Sequence, residues 1–522
     1  MAKVNLDALI RREDFEVTET RNSGKKKETL SIEDMKSDSF FFSSLRKPDF
    51  QRETNEWDST RVMELMKSFI SDDLIPAVIL WRSSGGYLFV IDGSHRLSAL
   101  SAWVNDDYGD NVISKEMYDG IIPEEQIKVA EDTRRLVNNT IGSYSDYKLA
   151  LSHPEKVKEN IVENAKNLGA LAIQVQWVEG DAKKAENSFF KINQQAAPID
   201  KTELRLLENR RKPYSIASRA IIRGGKGHKY WSGFPEKTQN KIQEIATEIN
   251  QILFEPIYKK PVKTLDLPIA GRVFSSQSLS LITDSVMIIN NIKIKESKNK
   301  KNEIDDDISG DRTLDSLKEV RKIMRIINSQ HSSSLGLHPA VYFYSNEGRH
   351  KTASFLATIE FVMRLYKNQK LNYFTDIREQ FERVILGYDY LTQQIVRKYR
   401  TSQSSYEKVA DFFFLLMDAI HVDKDNRDED IINIILNDPE FDYLTTSTTE
   451  TKSDKKNFSR EDKSSIYLNS ALPSAPVCRI CKGYIHTNSI SIDHINRKRD
   501  GGDGKKENGQ ISHPYCNSGY KN

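Results

Sequence analysis

The sequence predicts an α+β, multidomain chain: an α/β N-terminal domain, a mainly helical middle, and a small C-terminal module stapled by cysteine and histidine. Three observations carry this. Two apolar strand-like runs joined by a Ser-Ser-Gly-Gly turn sit between helix-period stretches in residues 59–103. Helix-period apolar positions then recur through residues 235–440. Finally, all three cysteines of the 522-residue chain (Cys478, Cys481 and Cys516) fall in the last forty-odd residues, with His486, His494 and His513 among its ten histidines.

A chain of 522 residues exceeds one core and implies about two to four domains. No apolar run reaches the roughly 18 residues a membrane span needs. MAKVNLDALIRREDFEV lacks an apolar signal core. Three cysteines including a CxxC suit a metal site in a reducing compartment better than a disulfide framework, so a cytoplasmic location is expected. The net charge of +2 is unevenly spread: residues 451–522 hold 13 Lys/Arg against 7 Asp/Glu, leaving 64 against 68 elsewhere. That basic excess suits a polyanion, and equally a solvated tail.

In order, residues 1–45 read as a leader, with RNSGKKKETL as a solvated turn and SIEDMKS capping a short helix. Val62, Leu65, Met66, Phe69 and Ile70 recur at helical spacing behind an Asp58 or Ser59 cap. Ala77–Trp81 and Tyr87–Ile91 read as buried strands, and Asp92-Gly93 ends the second before a helix opens at Ser94. Such a strand–DG–helix junction can hold an anion: Gly93 permits close backbone approach and Arg96 adds a cation. Asp92 and His95 could serve a metal or act as acid and base; equally, Asp92 could cap the helix and His95 and Arg96 make structural hydrogen bonds.

Phe50-Gln51-Arg52, Trp57, Arg61 and Asp92-Gly93-Ser94-His95-Arg96, followed by Phe190, Asn193, Glu203 and Leu204, resemble the N-terminal domain of GmrSD-type restriction proteins. That domain is related to ParB and sulfiredoxin folds. The resemblance spans about residues 30–230. The family pattern is DGQQR; DGSHR here departs towards the DGQHR variant of DNA-modification and phage-defence systems. The resemblance implies a ParB/sulfiredoxin-like α/β fold, binding of a nucleoside triphosphate through Gln51, Arg52, Asp92, Gly93, Ser94, His95, Arg96 and Asn193, and sensing of modified or foreign DNA. The changes at Ser94 and His95 leave nucleotide hydrolysis open.

Residues 105–170 read as helical and Leu171–Gly180 as a strand. ASRAIIRGGKGHKYW (Ala217–Trp231) suits either a phosphate-binding loop with stacking aromatics or a solvated loop. The helical middle suits a spacer or a surface for homo-oligomerisation. Thr445–Ser465 is polar and without apolar period, a linker. The expected division is a leader 1–45, a nucleotide-binding regulatory domain 46–232, a helical domain 233–444, a linker 445–468 and a C-terminal module 469–522.

In that module Cys478-x2-Cys481 and His513-x2-Cys516 make a Cys3His set, a composition of closed structural zinc sites. A segment this short has little core, so a metal staple is useful. Between the knuckles, SISI reads as a strand delivering Asp493-His494, followed by the RDGGDG loop, Asn508 and finally Asn517. The pattern resembles the HNH endonuclease family, with His513 where that family usually has the first cysteine of its second pair. The resemblance implies a ββα-metal fold acting on double-stranded DNA, with His494 as general base and Asp493 and Asn517 as ligands of Mg²⁺ or Mn²⁺. Asn508 would hold the His494 loop. Arg497, Lys498 and Arg499 would neutralise flanking phosphates. His486 matches no motif position and reads as surface. The combined expectation is a metal-dependent DNA endonuclease or nickase controlled by a nucleotide-binding domain, in restriction. Its rivals are an NTPase switch carrying a non-cleaving zinc DNA-binding module, and an unregulated nuclease.

Overall fold

The computed structural model describes residues 3–13, 25–48, 51, 54, 57–118, 120, 122, 124–196, 201–226, 230–273, 278–292, 304–422, 427–446 and 457–521. The chain divides into two units, Met1–Arg210 with Lys226–Tyr230, and Arg211–Gly225 with Trp231–Asn522.

The first unit is built on six strands: β1 (Arg12–Glu13), β2 (Thr29–Ser31), β3 (Leu45–Pro48), β4 (Val78–Arg82), β5 (Leu88–Asp92) and β6 (Ala172–Val178). Their order across the sheet is β1-β3-β5-β4-β6-β2. β4 and β5 are antiparallel, while β3 runs parallel to β5 and β6 parallel to β4. The continuous apolar run of β5 reflects burial on both faces. Leu88 and Val90 join the main core with Val62, Met66 and Phe69 of helix Ser59–Ile70. Phe89 and Ile91 face a second core with Ala185 and Phe189 of helix Ala182–Ala196. Asp58 caps Ser59–Ile70 by accepting the Arg61 amide at 3.0 Å.

Of residues 1–45, expected as a leader, the described ones pack into the first unit. Val4, Leu6, Leu9 and Leu30 are buried in the main core, and both β1 and β2 belong to the sheet. A short strand pairs with little apolar pattern, so its sequence resembles a tail. Ser31 and Asp34 form a capping box on a single tight turn, Ile32–Met35. Of the Ala217–Trp231 stretch, Ala217–Ile222 lies in helix Pro213–Ile222 and Trp231 is fully buried, so it offers no stacking face. His228 and Lys229 lie outside the described residues.

The second unit is helical, with long helices Glu236–Phe254, Asp311–Ile327, Thr352–Lys367 and Ser402–Val422. Phe361, Phe374, Phe381 and Phe413 form an aromatic centre. Within the stretch expected as a linker, Arg460–Ala471 is a helix with a Ser459/Asp462 capping box. Ser464 on that helix accepts the Val262 amide at 3.0 Å, and Glu461 pairs with Lys260. The Cys/His-rich end lies in this same unit. His486, expected at the surface, is buried at 1% exposure against Asn328 and His338, because an imidazole packs as readily as an apolar ring once neutral. Among the described residues no helix is long and apolar enough to cross a membrane.

Candidate active site

Strand β7 (Ser491–His494) pairs antiparallel with β8 (Gly509–Ser512), and one wide helical turn, Cys516–Tyr520, follows. Cys478, Cys481, His513 and Cys516 converge beside this hairpin; their ligand atoms lie within 4.8 Å of one another and all four residues are buried. The donor chemistry fits zinc. His513 Nε2 donates to the Tyr484 carbonyl at 3.0 Å, which leaves Nδ1 as the lone pair, and Nδ1 lies 3.4 Å from Cys481 Sγ. Hydrogen bonds from Cys481 and Cys516 hold the Cys478 thiol far down, while donating to Cys478 pushes both of those thiols up. One thiolate shared between two thiols is the arrangement a soft cation converts into three ligands.

A buried guanidinium stands behind this cluster. Arg378, 1% exposed, pairs with Glu382 at 2.7 Å, donates to the Leu335 and Gly336 carbonyls, and lies 3.3 Å from His513 Nδ1. Glu382 also accepts from Tyr342 Oη at 3.0 Å and from the Tyr484 amide at 2.8 Å. Gly336 and Gly483 permit the approach: a Cβ at Gly336 would lie 2.6 Å from His513 Cδ2, and one at Gly483 2.4 Å from Arg378 Nε. A Cys3His zinc site carries one net negative charge, and Arg378 supplies the opposite sign.

On the hairpin, Asp493 is 4% exposed; its Oδ2 accepts from Lys521 Nζ at 2.6 Å and Gln510 Nε2 at 2.7 Å. The same ammonium donates to the His494 and Ile495 carbonyls. A carboxylate and two carbonyls thus converge on one cation, an oxygen-rich locus of the kind Mg²⁺ or Mn²⁺ prefers. Asn517 donates through Nδ2 to Ser491 Oγ at 2.7 Å and the Ile492 carbonyl at 3.3 Å. Asn508 accepts the Asn496 amide at 2.7 Å and donates to the Asn496 and Asp503 carbonyls, closing the loop that follows His494. The His494 ring makes no hydrogen bond among the described residues. It lines a cleft of about 370 Å³ with Asp493, Lys505, Lys506 and Asn508.

In the first unit, β5 delivers Asp92 and helix Ser94–Asn105 begins after Gly93, whose φ of +98° favours glycine and where a Cβ would lie 3.0 Å from Val78 Cγ2. Asp92 pairs with Arg96 at 2.9 Å, and Arg96 donates to the Ala77 carbonyl at 3.1 Å. Ser94 is buried and His95 stacks on Trp57 with centroids 5.5 Å apart. Gln51 is buried, with its carbonyl accepting from Arg12. Helix Ala182–Ala196 carries Asn193. Arg52 lies outside the described residues.

Residues 32–208 match the N-terminal domain of the GmrSD restriction endonuclease. The match falls within the span that carries the Gln51 and DGSHR motifs and supports a GmrSD-type N-terminus for this chain. No curated protein and no solved structure matches.

Sequence reasoning missed three groups. Lys521 and Arg378 carry the counter-charges of the two C-terminal centres. Around Gln51, Asp7 accepts from Lys47 at 2.7 Å, Arg12 at 2.8 Å and the Thr54 amide at 3.0 Å, all buried. Asp7 and Arg12 interrupting an apolar run, VNLDALIRR, were the available signal.

Proposed function

We propose that the chain is an HNH-type, divalent-metal-dependent DNA endonuclease or nickase that restricts foreign or modified DNA, with its GmrSD-type N-terminal unit as a nucleotide-binding control element. The observation that carries the reading is the hairpin: it holds an unengaged His494 ring in an open cleft, next to a buried Asp493 that already gathers a cation. A neutral imidazole there can take a proton from water while the water oxygen attacks phosphorus and the bridging P–O bond breaks. A divalent ion held by Asp493 and Asn517 would supply charge for the leaving oxygen. Asn508 fixes the loop after His494, so the ring is offered from a stiff edge. Lys505 and Lys506 in the cleft wall, with Arg497, Lys498 and Arg499 nearby in sequence, supply the positive field a phosphodiester backbone needs. Cys478, Cys481, His513 and Cys516 hold a structural zinc that braces the hairpin and takes no part in the proton transfers. A binding module without cleavage would need no unbonded histidine beside a buried carboxylate.

Supercoiled plasmid incubated with the protein and Mg²⁺ or Mn²⁺ should be nicked or linearised, with and without nucleoside triphosphate tested in parallel. His494→Ala should lower the rate by about 10²–10⁴-fold, the usual worth of a general base. Identical DNA patterns for wild type and His494→Ala would reject the nuclease reading. Asp92→Ala and Arg96→Ala should abolish nucleotide binding while the protein still melts cooperatively; unchanged binding would return Asp92 and Arg96 to a structural role.

A further inference from the structure

The β7–β8 hairpin has two unlike faces. Side chains alternate along a strand, so Ser491 and Asp493 share one face with Gln510 and Ser512, while Ile492 and His494 share the other with Gly509 and Ile511. The first face is closed. Gln510 and Lys521 donate to Asp493, Ser512 Oγ donates to the Ser491 carbonyl at 3.3 Å, and Asn517 donates to Ser491 Oγ at 2.7 Å. The second face is open: Ile492 is 65% exposed, and Ile492, His494, Gly509 and Ile511 all line the cleft of about 370 Å³.

That open face is apolar in its middle and clear of side chains beside the imidazole. Ile492 stands across the ladder from Ile511, and His494 across from Gly509. Gly509 has an ordinary extended φ of −97°, so the backbone does not require glycine there; what glycine provides is room. A Cβ at this position would lie 3.3 Å from the Lys506 carbonyl oxygen and 3.6 Å from Ile492 Cγ2. The space across from the His494 ring therefore holds no side chain of β8.

The surroundings say what fits. Lys506 lines the cleft, and Arg479 is held near the end of β8, where its amide donates to the Ile511 carbonyl at 3.0 Å. Neither side chain has an ion pair among the described residues, whereas Lys505 pairs with Asp503 at 3.0 Å. Cations at both ends of the strip suit a polyanion. The apolar part is two side chains wide, far below the roughly 800 Å² per partner of a stable protein interface. Cross-strand side chains stand about 5 Å apart, a width that suits one sugar ring. No phenyl, phenol or indole ring lines the cleft, so it offers no such platform for stacking a base. The sugar is the remaining apolar part of a nucleic-acid strand.

We infer that the open face seats one deoxyribose of the cut strand, its sugar against Ile492 and Ile511 and its phosphate in the space over Gly509 between His494 and Lys506, and that Ile492 thereby selects deoxyribose over ribose. Ile492 lies two residues before His494, about 7 Å along the strand, so the sugar is one attached to the phosphate under attack. A 2′-hydroxyl pressed on isoleucine loses its water and gains no partner. An apolar surface rejects an added hydroxyl by no more than about a hundredfold, which sets the scale of the discrimination. Ile492 acts on specificity and takes no part in proton transfer. The inference rests on the HNH-type reading of the hairpin.

The test gives the full chain, with Mn²⁺, a short duplex built around a nick site mapped on plasmid. The same duplex then carries one ribonucleotide, or one 2′-fluoro nucleotide, at each position flanking the cut. At one position the ribonucleotide should lower kcat/KM about 10- to 100-fold, while 2′-fluoro, which keeps a ribose-like pucker without a hydroxyl, should cost less than about threefold. Ile492→Thr keeps a β-branched residue in the strand and supplies a hydroxyl partner, and should shrink the ribonucleotide penalty to about threefold or less; Ile492→Val should retain most of it. Ile495→Thr, at an isoleucine 55% exposed outside the cleft, should leave the penalty unchanged. Equal cutting with ribose at every position, or an undiminished penalty in Ile492→Thr, overturns the inference while the nuclease reading stands. A 2′-fluoro penalty equal to that of ribose assigns the discrimination to sugar pucker and overturns it as well. No cutting of any duplex or plasmid overturns the nuclease reading and the sugar contact with it. Should Ile492→Thr misfold, the ribose and 2′-fluoro series on the unaltered chain decides alone.

Discussion

A carboxylate buried as deeply as Asp493 needs a counter-charge, and Lys521 supplies it at 2.6 Å. Because the same ammonium also meets the His494 and Ile495 carbonyls, it stands where a divalent ion would gather oxygen ligands. Lysine and metal then compete for one locus. Lys521→Ala should lower the Mn²⁺ concentration needed for half-saturation about tenfold, measured by electron paramagnetic resonance of bound Mn²⁺ on the intact protein. Unchanged or weaker Mn²⁺ binding would show that the ammonium and the ion occupy different places. That Asp493 and His494 end a strand was legible from the strand-like SISI run before them, and the cleft they line with Asn508 brings together residues the sequence singled out. Lys521 was not legible: a lysine in a basic tail reads as solvated charge until the chain folds back and sets it on a carboxylate 28 residues away. The sequence leaves Asp92 between a helix cap and a metal or acid–base role, and Arg96 between an anion and structural hydrogen bonds; the structure pairs the two side chains at 2.9 Å, a contact that neither reading contains.

At the scale of elements, periodicity served where an element buries one face and failed where pairing alone defines it. Helix Ser59–Ile70 was legible from its apolar positions and its cap, and β5 from an unbroken apolar run. β1 and β2 are two and three residues long, and nothing in RE or TLS announces a strand. His486 failed for a different reason. Its burial comes from Asn328 and His338 on segments some 150 residues earlier, which no local pattern records. Burial holds its pKa down to about 4 from 6.5, and its Nε2 has no hydrogen-bond partner among the described residues. The neutral ring is therefore the folded form, and the unfolded chain binds the extra proton. Stability from His486 is complete above pH 6.5 and is lost as pH falls through about 4. His338 and His350, also held down by burial, act in the same direction. Thermal melts from pH 7 to 4 should show His486→Gln losing less stability than wild type, by on the order of 2–3 kcal/mol at the acid end. Parallel curves would mean that His486 is already protonated in the fold.

For the whole molecule, the helical middle is more than a tether for the C-terminal module. Ser334 accepts the Tyr515 amide at 2.9 Å and its hydroxyl meets Ser489 at 2.9 Å; Asn372 accepts from Tyr515 Oη at 2.6 Å. Arg378 and Glu382 complete the surroundings of the Cys3His cluster from a helix about a hundred residues upstream. The paired spacing disclosed the four residues that cluster but not this outer layer, because a buried Arg–Glu pair at i,i+4 looks like any solvated helix pair before folding. The consequence is that residues 469–522 alone would lack part of the surroundings of a zinc held by the Cys3His cluster. Residues that orient metal ligands from outside typically change affinity 10–100-fold. The isolated segment 469–522 should therefore bind zinc about 10–100-fold more weakly than the full chain in competition with a chromophoric chelator. Arg378→Met in the full chain should reproduce most of that loss, because it leaves Glu382 buried without its cation and the cluster's extra negative charge uncompensated. Arg378→Lys, which keeps the charge but not the fork that reaches the Leu335 and Gly336 carbonyls, should fall between the unaltered full chain and Arg378→Met. Equal zinc affinity for segment, variants and full chain would make the C-terminal module self-sufficient and the helical unit a neighbour only. A graded loss in the order Lys, Met, isolated segment would make zinc loading and the packing of the helical unit a single equilibrium, in which metal removal loosens helix Arg378–Gly387 along with the hairpin.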